Sequence, residues 1–448
     1  MNTRKRRMEF ISFYNHTGLE KHFTKMAKKG WMIESISNFY WTYRKIEPKD
    51  LHFCVTYYPR SSDFDPGPSP KQQTFYDFCA HTGWEFICTW HQMQVFCNAR
   101  ENPIPLDTDP VIEVETIHEA CKRNFLPSSF ILLALAVFQI VSVLLKLCED
   151  PIGGLSNSSW LFTGFCFFCV AAINTIELGA YFIWYRKAKK AAQDGIFVDT
   201  PSTAKLQLGI LILLLMVFVL WLLDLAYSDK PILLWVAVSI FAGILAVILI
   251  VNGIKQALKK ANASKSTNRF WTTAAYFVLV FAMTSVIVYF PLSADRSDAT
   301  KVESIPLSLG DLITIDADEY ETNDRNNESF LLGHRVIAQD PRFGVENADK
   351  KPDLLYVVTH IQYPFLYNVV KDQYFHGTSD DYFAIRGMDY SKIDATPWEA
   401  IEAYRQLDSK GNGKTSFLLC YESRIVLIHL DWEPTGEQKA VIGRKLNP

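Results

Sequence analysis

The chain has 448 residues, of which 49% are hydrophobic and 21% are charged. This composition excludes an intrinsically disordered protein, and the length is enough for about three domains. The formal net charge of −3 hides an uneven distribution, because residues 1–290 carry 28 basic and 22 acidic side chains whereas residues 291–448 carry 17 and 26. Five apolar runs between Ser128 and Phe290 approach the length that a bilayer requires, which excludes a purely soluble protein.

Residues 1–105 alternate between short segments typical of strands and amphipathic segments typical of helices. The predicted helices are Gly18–Lys29 and Gln72–His81. The predicted strands are rich in aromatic and β-branched residues and comprise Met8–Tyr14, Trp31–Ser37, Tyr40–Lys45, His52–Tyr58, Trp84–Trp90 and Gln94–Asn98.

A short internal repeat links the two predicted helices. The residues Ala27-Lys-Lys-Gly30-Trp31 recur 53 positions later as Ala80-His-Thr-Gly83-Trp84. Each glycine is expected to end its helix in the left-handed conformation, and each tryptophan is expected to bury its ring against that helix. Two such units predict a ferredoxin-like α+β sandwich with both helices on one face of one antiparallel sheet.

The same residues carry a resemblance to a known family. The segment from Leu19-Glu20 to Met26-Ala27-Lys28-Lys29-Gly30-Trp31, together with Gly83-Trp84-Glu85, resembles a family of Gram-positive bacterial membrane proteins catalogued as domain of unknown function 2812. The resemblance covers about the first 100 residues. It implies a membrane protein often encoded near PadR-like transcriptional regulators, and it assigns no catalytic residues.

Nine cysteines are present, and three of them pair with histidines in His52-x-Cys54, Cys79-x-His81 and Cys88-x-x-His91. Structural zinc usually needs four converging ligands from C-x2-4-C knuckles, and these pairs do not have that form. We therefore interpret them as reduced core residues and predict no metal and no cofactor. Cys166 and Cys169 fall within an apolar run, and Cys420 alone cannot form a disulfide within residues 306–448.

The apolar runs predict a transmembrane domain of five α-helices over residues 128–290, preceded by a linker over 106–127. Each run must be helical to satisfy its backbone hydrogen bonds in lipid, and several end in Trp or Tyr. The predicted spans are Ser128–Leu147, Ser159–Tyr185, Leu206–Tyr227, Pro231–Ile254 and Trp271–Phe290.

The loops between these runs indicate an orientation. The loops after the second and fourth runs each carry five Lys or Arg residues, whereas the others carry almost none. Cytoplasmic loops are the basic ones, so we predict a multi-pass plasma-membrane protein with a cytoplasmic N-terminus and an extracellular C-terminus. The start of the chain, Arg4-Lys5-Arg6-Arg7, agrees with this, and residues 1–29 lack the apolar run of a signal peptide.

The candidate intramembrane functional residues are Asn174, Glu177 and Asp224, which lie within the predicted spans. A carboxylate in a membrane helix is costly, so each is a functional candidate by default. Glu177 is about two turns from the predicted inner end, where it either has a functional role or hydrogen-bonds to a neighbouring helix. Asp224 is close to the predicted outer interface, where contact with water is the simpler interpretation.

Residues 306–448 are predicted to form a compact extracellular α+β domain after a linker over 291–305. Gly411–Thr415 has the wrong spacing and order for a phosphate loop, and Asp316–Glu321 lacks the glycine of a calcium loop. The predicted elements are a strand Leu354–Thr359, a helix Pro364–Lys371, a helix Pro397–Leu407 capped by Thr396, a hairpin of Ser416–Tyr421 and Arg424–Asp431, and a closing helix Pro434–Leu446.

This organisation favours a non-enzymatic sensor or regulatory protein that couples an extracytoplasmic domain to a cytoplasmic protein-docking domain. The expected partners are the lipid bilayer, a cytoplasmic protein and, because residues 291–448 are acidic, a cationic extracellular ligand; no nucleic acid is expected. Two alternatives stay open, which are an accessory subunit of an exporter or envelope machine and a membrane enzyme acting on envelope precursors.

Overall fold

The computed structural model of the protein describes residues 3–37, 40–227, 231–294, 305–342, 351–376 and 389–447. The chain forms two compact units. One consists of Met1–Val137 and Cys166–Ala294, and the other of Phe138–Phe165 and Asp295–Pro448. Each unit therefore combines a folded domain with part of the apolar helices.

The N-terminal domain of the first unit contains two successive β-α-β-β segments followed by a helix. The elements of the first segment are β1 (Arg4–Arg7), α1 (His16–Lys28), β2 (Trp31–Ile36) and β3 (Trp41–Lys45). Those that follow are β4 (His52–Tyr57), α2 (Pro70–His81), β5 (Glu85–Trp90), β6 (Met93–Asn98) and α3 (Pro110–Arg123).

The two segments have the same topology. Each forms a three-stranded antiparallel sheet in which the third strand lies between the first and the second, in the orders β1-β3-β2 and β4-β6-β5. The registers also correspond, because the pair Met32↔Arg44 recurs 53 positions later as Glu85↔Cys97. The predicted repeat is therefore a duplicated structural unit.

Corresponding irregularities confirm the duplication in detail. The β2–β3 register shifts between Ile33 and Ser35, and the β5–β6 register shifts between Phe86 and Cys88, again 53 positions later. Such bulges bend a strand and interrupt its ladder. The prediction of a single ferredoxin-like sheet is wrong, because β2 and β5 lie near each other without hydrogen-bonded pairing and the two bulged strands remain edges of separate sheets.

Both predicted glycine caps are present. Gly30 and Gly83 have φ angles of +78° and +92°, which residues with a side chain resist. The two tryptophans occupy equivalent positions but differ in burial, because Trp84 is 4% exposed whereas Trp31 is only half-buried. The expectation that both are equally buried is wrong.

Two further predictions for the N-terminal region differ from the structure. Met8–Tyr14 is not a strand, since β1 ends at Arg7 and the following residues form a loop whose apolar side chains pack on a membrane helix. The segment 106–127, predicted as a linker, contains α3, and its Val114, Ile117 and Cys121 are buried in the domain core. Their spacing of three and four residues places them on one face of α3.

Five long helices follow, separated by short connections. Four of them are long and apolar enough to cross a membrane, so the protein is a multi-pass membrane protein. The fifth predicted span, Trp271–Phe290, lies within the last helix, in which the side chains from residue 286 onward are outside the described residues. The helices are α4 (Phe125–Glu149), α6 (Ser158–Gln193), α7 (Ala204–Tyr227), α8 (Pro231–Lys260) and α9 (Lys265–Ala294), and α5 (Pro151–Leu155) is a short turn between α4 and α6.

The C-terminal domain of the second unit is built on one antiparallel sheet of seven strands in the order β10-β11-β12-β13-β9-β8-β7. Most of the predicted linker over 291–305 lies outside the described residues. The elements are β7 (Tyr320–Glu328), β8 (Leu332–Pro341), β9 (Leu354–Ile361), α10 (Tyr367–His376), β10 (Tyr390–Ile393), β11 (Glu402–Leu407), β12 (Gly413–Cys420), β13 (Arg424–Leu430) and α11 (Gly436–Leu446).

The predicted strand at 354–359, the hairpin of β12 and β13 and the closing helix α11 are present. The helix predicted over Pro397–Leu407 is wrong. The chain makes a single 3-10 turn at Thr396–Trp398, which ends at Glu399 with a left-handed φ of +50°. The next residues form β11, which pairs with β10 on one side and β12 on the other, so sheet pairing overrides the local helix-start signal.

The turn α5, between the first two membrane helices, belongs to the core of the C-terminal domain. Ile152 is 6% exposed and packs in a cluster with Val357, Leu366 and Val370. The Ser329 hydroxyl donates a hydrogen bond to the Leu155 carbonyl at 2.5 Å. The folded C-terminal domain therefore includes a connection that lies about 165 residues earlier in the chain than β7.

Candidate functional site

The membrane helix α6 continues beyond the length of a bilayer and enters the core of the N-terminal domain. It has 36 residues, whereas about 20 are enough to span the apolar layer. Tyr181, Trp184, Ala188 and Ala192 recur at helical spacing and are all buried in the same cluster as residues of α1, β2 and β4. This end of α6 is therefore part of the packed core of the N-terminal domain.

Glu177 lies on α6 one turn before Tyr181, where a loop of the N-terminal domain meets α6 and the start of α7. Its Oε1 accepts hydrogen bonds from the Ser12 hydroxyl at 2.7 Å, from the Thr203 hydroxyl at 3.3 Å and from the Gln207 amide. Ser12 belongs to the loop between β1 and α1. Glu177 is thus hydrogen-bonded to three chain segments, and we call this group of contacts the Glu177 node.

An aromatic cluster lies beside this node. Tyr14 is fully buried, with its ring 5.2 Å from that of Tyr181 and 5.9 Å from that of Trp184. Burial, with a smaller contribution from the nearby Glu177 carboxylate, raises the pKa of Tyr14 above its usual value. The Tyr181 hydroxyl lies 2.5 Å from Nδ1 of His118 on α3. The cluster therefore packs the β1–α1 loop and α3 on either side of α6.

The connection between α6 and α7 is bound to the start of α1. The Thr200 hydroxyl donates to the Asn15 side chain at 2.6 Å and lies 2.8 Å from the Thr17 hydroxyl, while the Thr200 backbone N–H donates to Thr17 Oγ1 at 3.0 Å. Lys21 also pairs with Asp199 on the surface. We call these contacts, together with the Glu177 node, the first clamp.

A second clamp holds the adjoining ends of α8 and α9. Asp63 accepts hydrogen bonds from His91 Nδ1 at 2.9 Å and from Lys255 Nζ at 3.3 Å. Burial alone would raise the pKa of Asp63, but these two partners lower it to about 2. The fully buried Asn268 donates to the carbonyl of Phe64 at 3.3 Å, which joins α9 to the same loop.

The two clamps occupy equivalent places in the duplicated domain. The first uses the loop between β1 and α1, and the second uses the longer loop between β4 and α2. These are the strand-to-helix connections of the first and second β-α-β-β segments. The domain therefore holds the helix pair α6–α7 with one repeat and the helix pair α8–α9 with the other.

A comparison with known families identifies this domain. Residues 16–128 match the family model described as protein of unknown function (DUF2812). This segment is a DUF2812 domain. The match contains both glycine–tryptophan turns that carry the sequence resemblance, and it extends through α3 into the start of α4. Neither the curated proteins nor the solved structures contain a match to the chain.

The other two predicted intramembrane residues lie apart from the clamps of the DUF2812 domain. The Asn174 amide donates to the Val170 carbonyl one turn earlier on α6 at 2.9 Å, which satisfies the side chain within its own helix. Asp224 is exposed on α7. The structure thus brings Glu177, and neither Asn174 nor Asp224, into contact with the DUF2812 domain.

The predicted histidine–cysteine pairs are accounted for by packing. Burial raises the pKa of the Cys88 thiol to about 12 and that of Cys79 to about 11, so both are inert neutral thiols. His91 pairs with Asp63 in the second clamp.

A group of ligand atoms close enough for a metal ion occurs instead in the C-terminal domain. Among the described residues, Asp353, His429 and Asp431 offer ligand atoms within 4.8 Å of one another. His429 Nδ1 lies 2.8 Å from the Ser416 hydroxyl, and the Asp353 N–H donates to Asp431 at 3.0 Å. Burial, together with repulsion from Asp431, raises the pKa of Asp353 to about 6. Sequence spacing gives no sign of this group, because Asp353 precedes β9 and the other two residues are on and after β13.

Proposed function

We propose that this protein is a membrane-anchored regulatory protein in which the DUF2812 domain reports the arrangement of the membrane helices to a cytoplasmic protein. The observation that carries the proposal is the double clamp, because two equivalent loops hold the domain to two different helix pairs. A change in helix arrangement that favours one state of the clamps is then transmitted to the domain surface.

The proposal includes five spans, a cytoplasmic N-terminus and an extracellular C-terminal domain. The support is twofold. The DUF2812 domain binds the α6–α7 connection and the adjoining ends of α8 and α9, and the connections over 194–203 and 261–264 follow helix ends rich in Lys and Arg, as cytoplasmic loops do. The connection packed into the C-terminal domain, around Ile152, carries no Lys or Arg.

Labelling of single cysteines tests this orientation. An impermeant thiol reagent applied to intact cells is expected to modify a cysteine placed at Ser409, in an exposed turn of the C-terminal domain, and to spare one at Lys71 on α2. The native cysteines are replaced by serine or alanine first, and permeabilised cells provide the control in which both sites react. Modification of Lys71→Cys in intact cells would overturn the orientation.

The expected extracellular ligand is cationic, because residues 291–448 carry 17 basic and 26 acidic side chains. Since Ile152 is part of the core of the C-terminal domain, the experiment uses the full chain in lipid vesicles rather than a C-terminal fragment. A fluorophore at Lys71 reports on the DUF2812 domain while basic and neutral peptides are added to the side of the C-terminal domain.

Glu177 provides the decisive variant. We expect Glu177→Leu to keep peptide binding but to abolish the fluorescence response, because the leucine cannot accept the hydrogen bonds of Ser12 and Gln207. Glu177→Gln keeps an acceptor oxygen and should keep part of the response. Asp224→Leu, which removes an exposed carboxylate of α7, is the matched control. A response that survives Glu177→Leu unchanged would contradict the proposed coupling.

The state of the first clamp can also be measured directly. In Glu177→Leu, amide hydrogen exchange over residues 8–15 is expected to rise at least tenfold, which corresponds to a loss of about 1.4 kcal/mol of protection. The segment over β4 and β6 should be unaffected, because it belongs to the second repeat. Equal exchange in Glu177→Leu and the parent protein would show that the node does not hold this loop.

A further inference from the structure

A cavity of about 400 Å³ lies in the first unit, where α1, β4 and α3 meet the connection between α6 and α7. Its volume is within the range of small-molecule sites. One part of its wall is apolar and aromatic, formed by Phe53, Trp84, Leu106 and Phe197. The lining also carries the carboxylates of Glu20, Asp107, Glu113 and Asp199, the last of which pairs with Lys21.

The charge of this cavity is unbalanced. Among the described residues that line it there is no lysine or arginine, and the nearest compensation is His16, whose Nε2 lies 2.9 Å from Glu113 Oε1. Glu20 accepts a hydrogen bond from the Val55 N–H at 2.9 Å, which offsets only part of its burial. Glu20 and Asp107 therefore face a cavity whose described lining offers only histidines as cation-forming side chains, and His16 partly offsets the charge of both.

The pKa values of Glu20 and Asp107 are both raised, as expected for carboxyl groups in an acidic and partly buried cavity. Burial raises the pKa of Glu20 to about 7, and burial together with repulsion from Glu113 raises that of Asp107 to about 6. His16 is only 6% exposed, and its Nδ1 is buried without a hydrogen bond to any described side chain. The cavity thus presents two carboxyl groups whose charge is only partly offset.

A metal ion does not suit this arrangement, since the described ligand atoms here do not converge as they do at Asp353, His429 and Asp431. An ammonium group attached to an apolar body fits this lining, because the carboxylates neutralise the charge and Phe53, Trp84 and Phe197 supply aromatic surface in the same cavity. We propose that this cavity binds a small organic cation of the arylalkyl ammonium type between the DUF2812 domain and the α6–α7 connection.

Bound there, the cation contacts Phe197 and Asp199, and Asp199 itself belongs to the first clamp, so the cation stabilises the clamped state. The binding itself does not depend on the proposed regulatory role. A failure to bind removes this inference and leaves the response of the Glu177 variants to be judged on its own.

The test is calorimetric titration of the full chain in detergent with phenethylamine, at low and physiological salt. We expect saturable binding at one site that persists at about 150 mM salt, and at least tenfold weaker binding of the uncharged analogue 2-phenylethanol. Asp107→Asn and Glu20→Gln should each weaken phenethylamine binding at least tenfold, whereas Glu115→Gln on the exposed face of α3 should not.

Three results would overturn the proposal. One is the absence of saturable binding, another is equal affinity for the amine and the alcohol, and the third is an equal loss in Glu115→Gln and Asp107→Asn. Hydrogen exchange of each variant distinguishes loss of the site from loss of the fold. If Glu20→Gln disturbs α1, the affinity of Asp107→Asn decides the outcome, because Asp107 lies in a loop.

Discussion

Replacing Trp84 with alanine is expected to lower the free energy of opening of the second repeat by about 4 kcal/mol. The ring is 4% exposed, packs with Tyr76, Cys79 and Phe96, and donates its indole N–H to the Ile104 carbonyl at 2.8 Å. The substitution therefore leaves a cavity and a buried carbonyl without its donor.

The equivalent change at Trp31 is expected to cost only about 1–2 kcal/mol, because that ring is half-buried and lies under Lys5 at 5.5 Å. Hydrogen exchange of β5 and β6 in one variant, and of β2 and β3 in the other, measures both losses in the full chain. Phe78→Ala, which removes a ring that is 63% exposed on α2, is the control. Equal losses at Trp31 and Trp84 would contradict the difference in burial.

The stability of the DUF2812 domain is expected to fall as pH rises from about 5 to 8. The pKa of Glu20 is raised by burial to about 7 in the folded state, so the folded chain holds a proton that the unfolded chain has already lost. This contribution is complete below the unfolded pKa and disappears as pH passes the folded value. Its size is on the order of 2–3 kcal/mol, and Asp107, with a pKa of about 6, adds in the same direction.

Glu20→Gln should remove most of this pH dependence and stabilise the domain at pH 8, because the amide oxygen still accepts the hydrogen bond of the Val55 N–H. Exchange of the α1 and β4 amides between pH 5 and 8, corrected for intrinsic rates, measures the effect. Glu115→Gln serves as the control, since that carboxyl is exposed. A variant with the slope of the parent would show that Glu20 is ionised normally.

The sequence predicts those features that a few neighbouring residues determine. A glycine with positive φ followed by an aromatic residue marks both repeats, and apolar length marks the spans. Prediction from the sequence fails where contacts with residues distant in the chain determine the local structure. Thr396-Pro397 has the form of a helix start, but the Thr396 hydroxyl bonds to Asp394 and the following residues pair in a sheet.

The candidate site shows the same limit. Glu177 can be selected from its apolar surroundings, but Ser12, Thr203 and Gln207 are ordinary polar residues that become partners only through the fold. The extension of α6 does leave a signal in the sequence, because a helical face continues past the basic residues that end the second apolar run. Its members are Tyr181, Trp184, Ala188 and Ala192. Such a face indicates a helix that leaves the membrane to pack on a domain.

The attachment of one duplicated domain at two places has a mechanical consequence. A domain attached through one flexible linker can rotate freely, so a change in the arrangement of the membrane helices does not reach it. A stiff body fixed at two points instead bears a load whenever the distance between those points changes, and protein interiors deform little. In the function proposed above, movement of the α6–α7 and α8–α9 pairs together leaves the DUF2812 domain unstressed, whereas a change in the distance between the two pairs strains the contacts of both clamps.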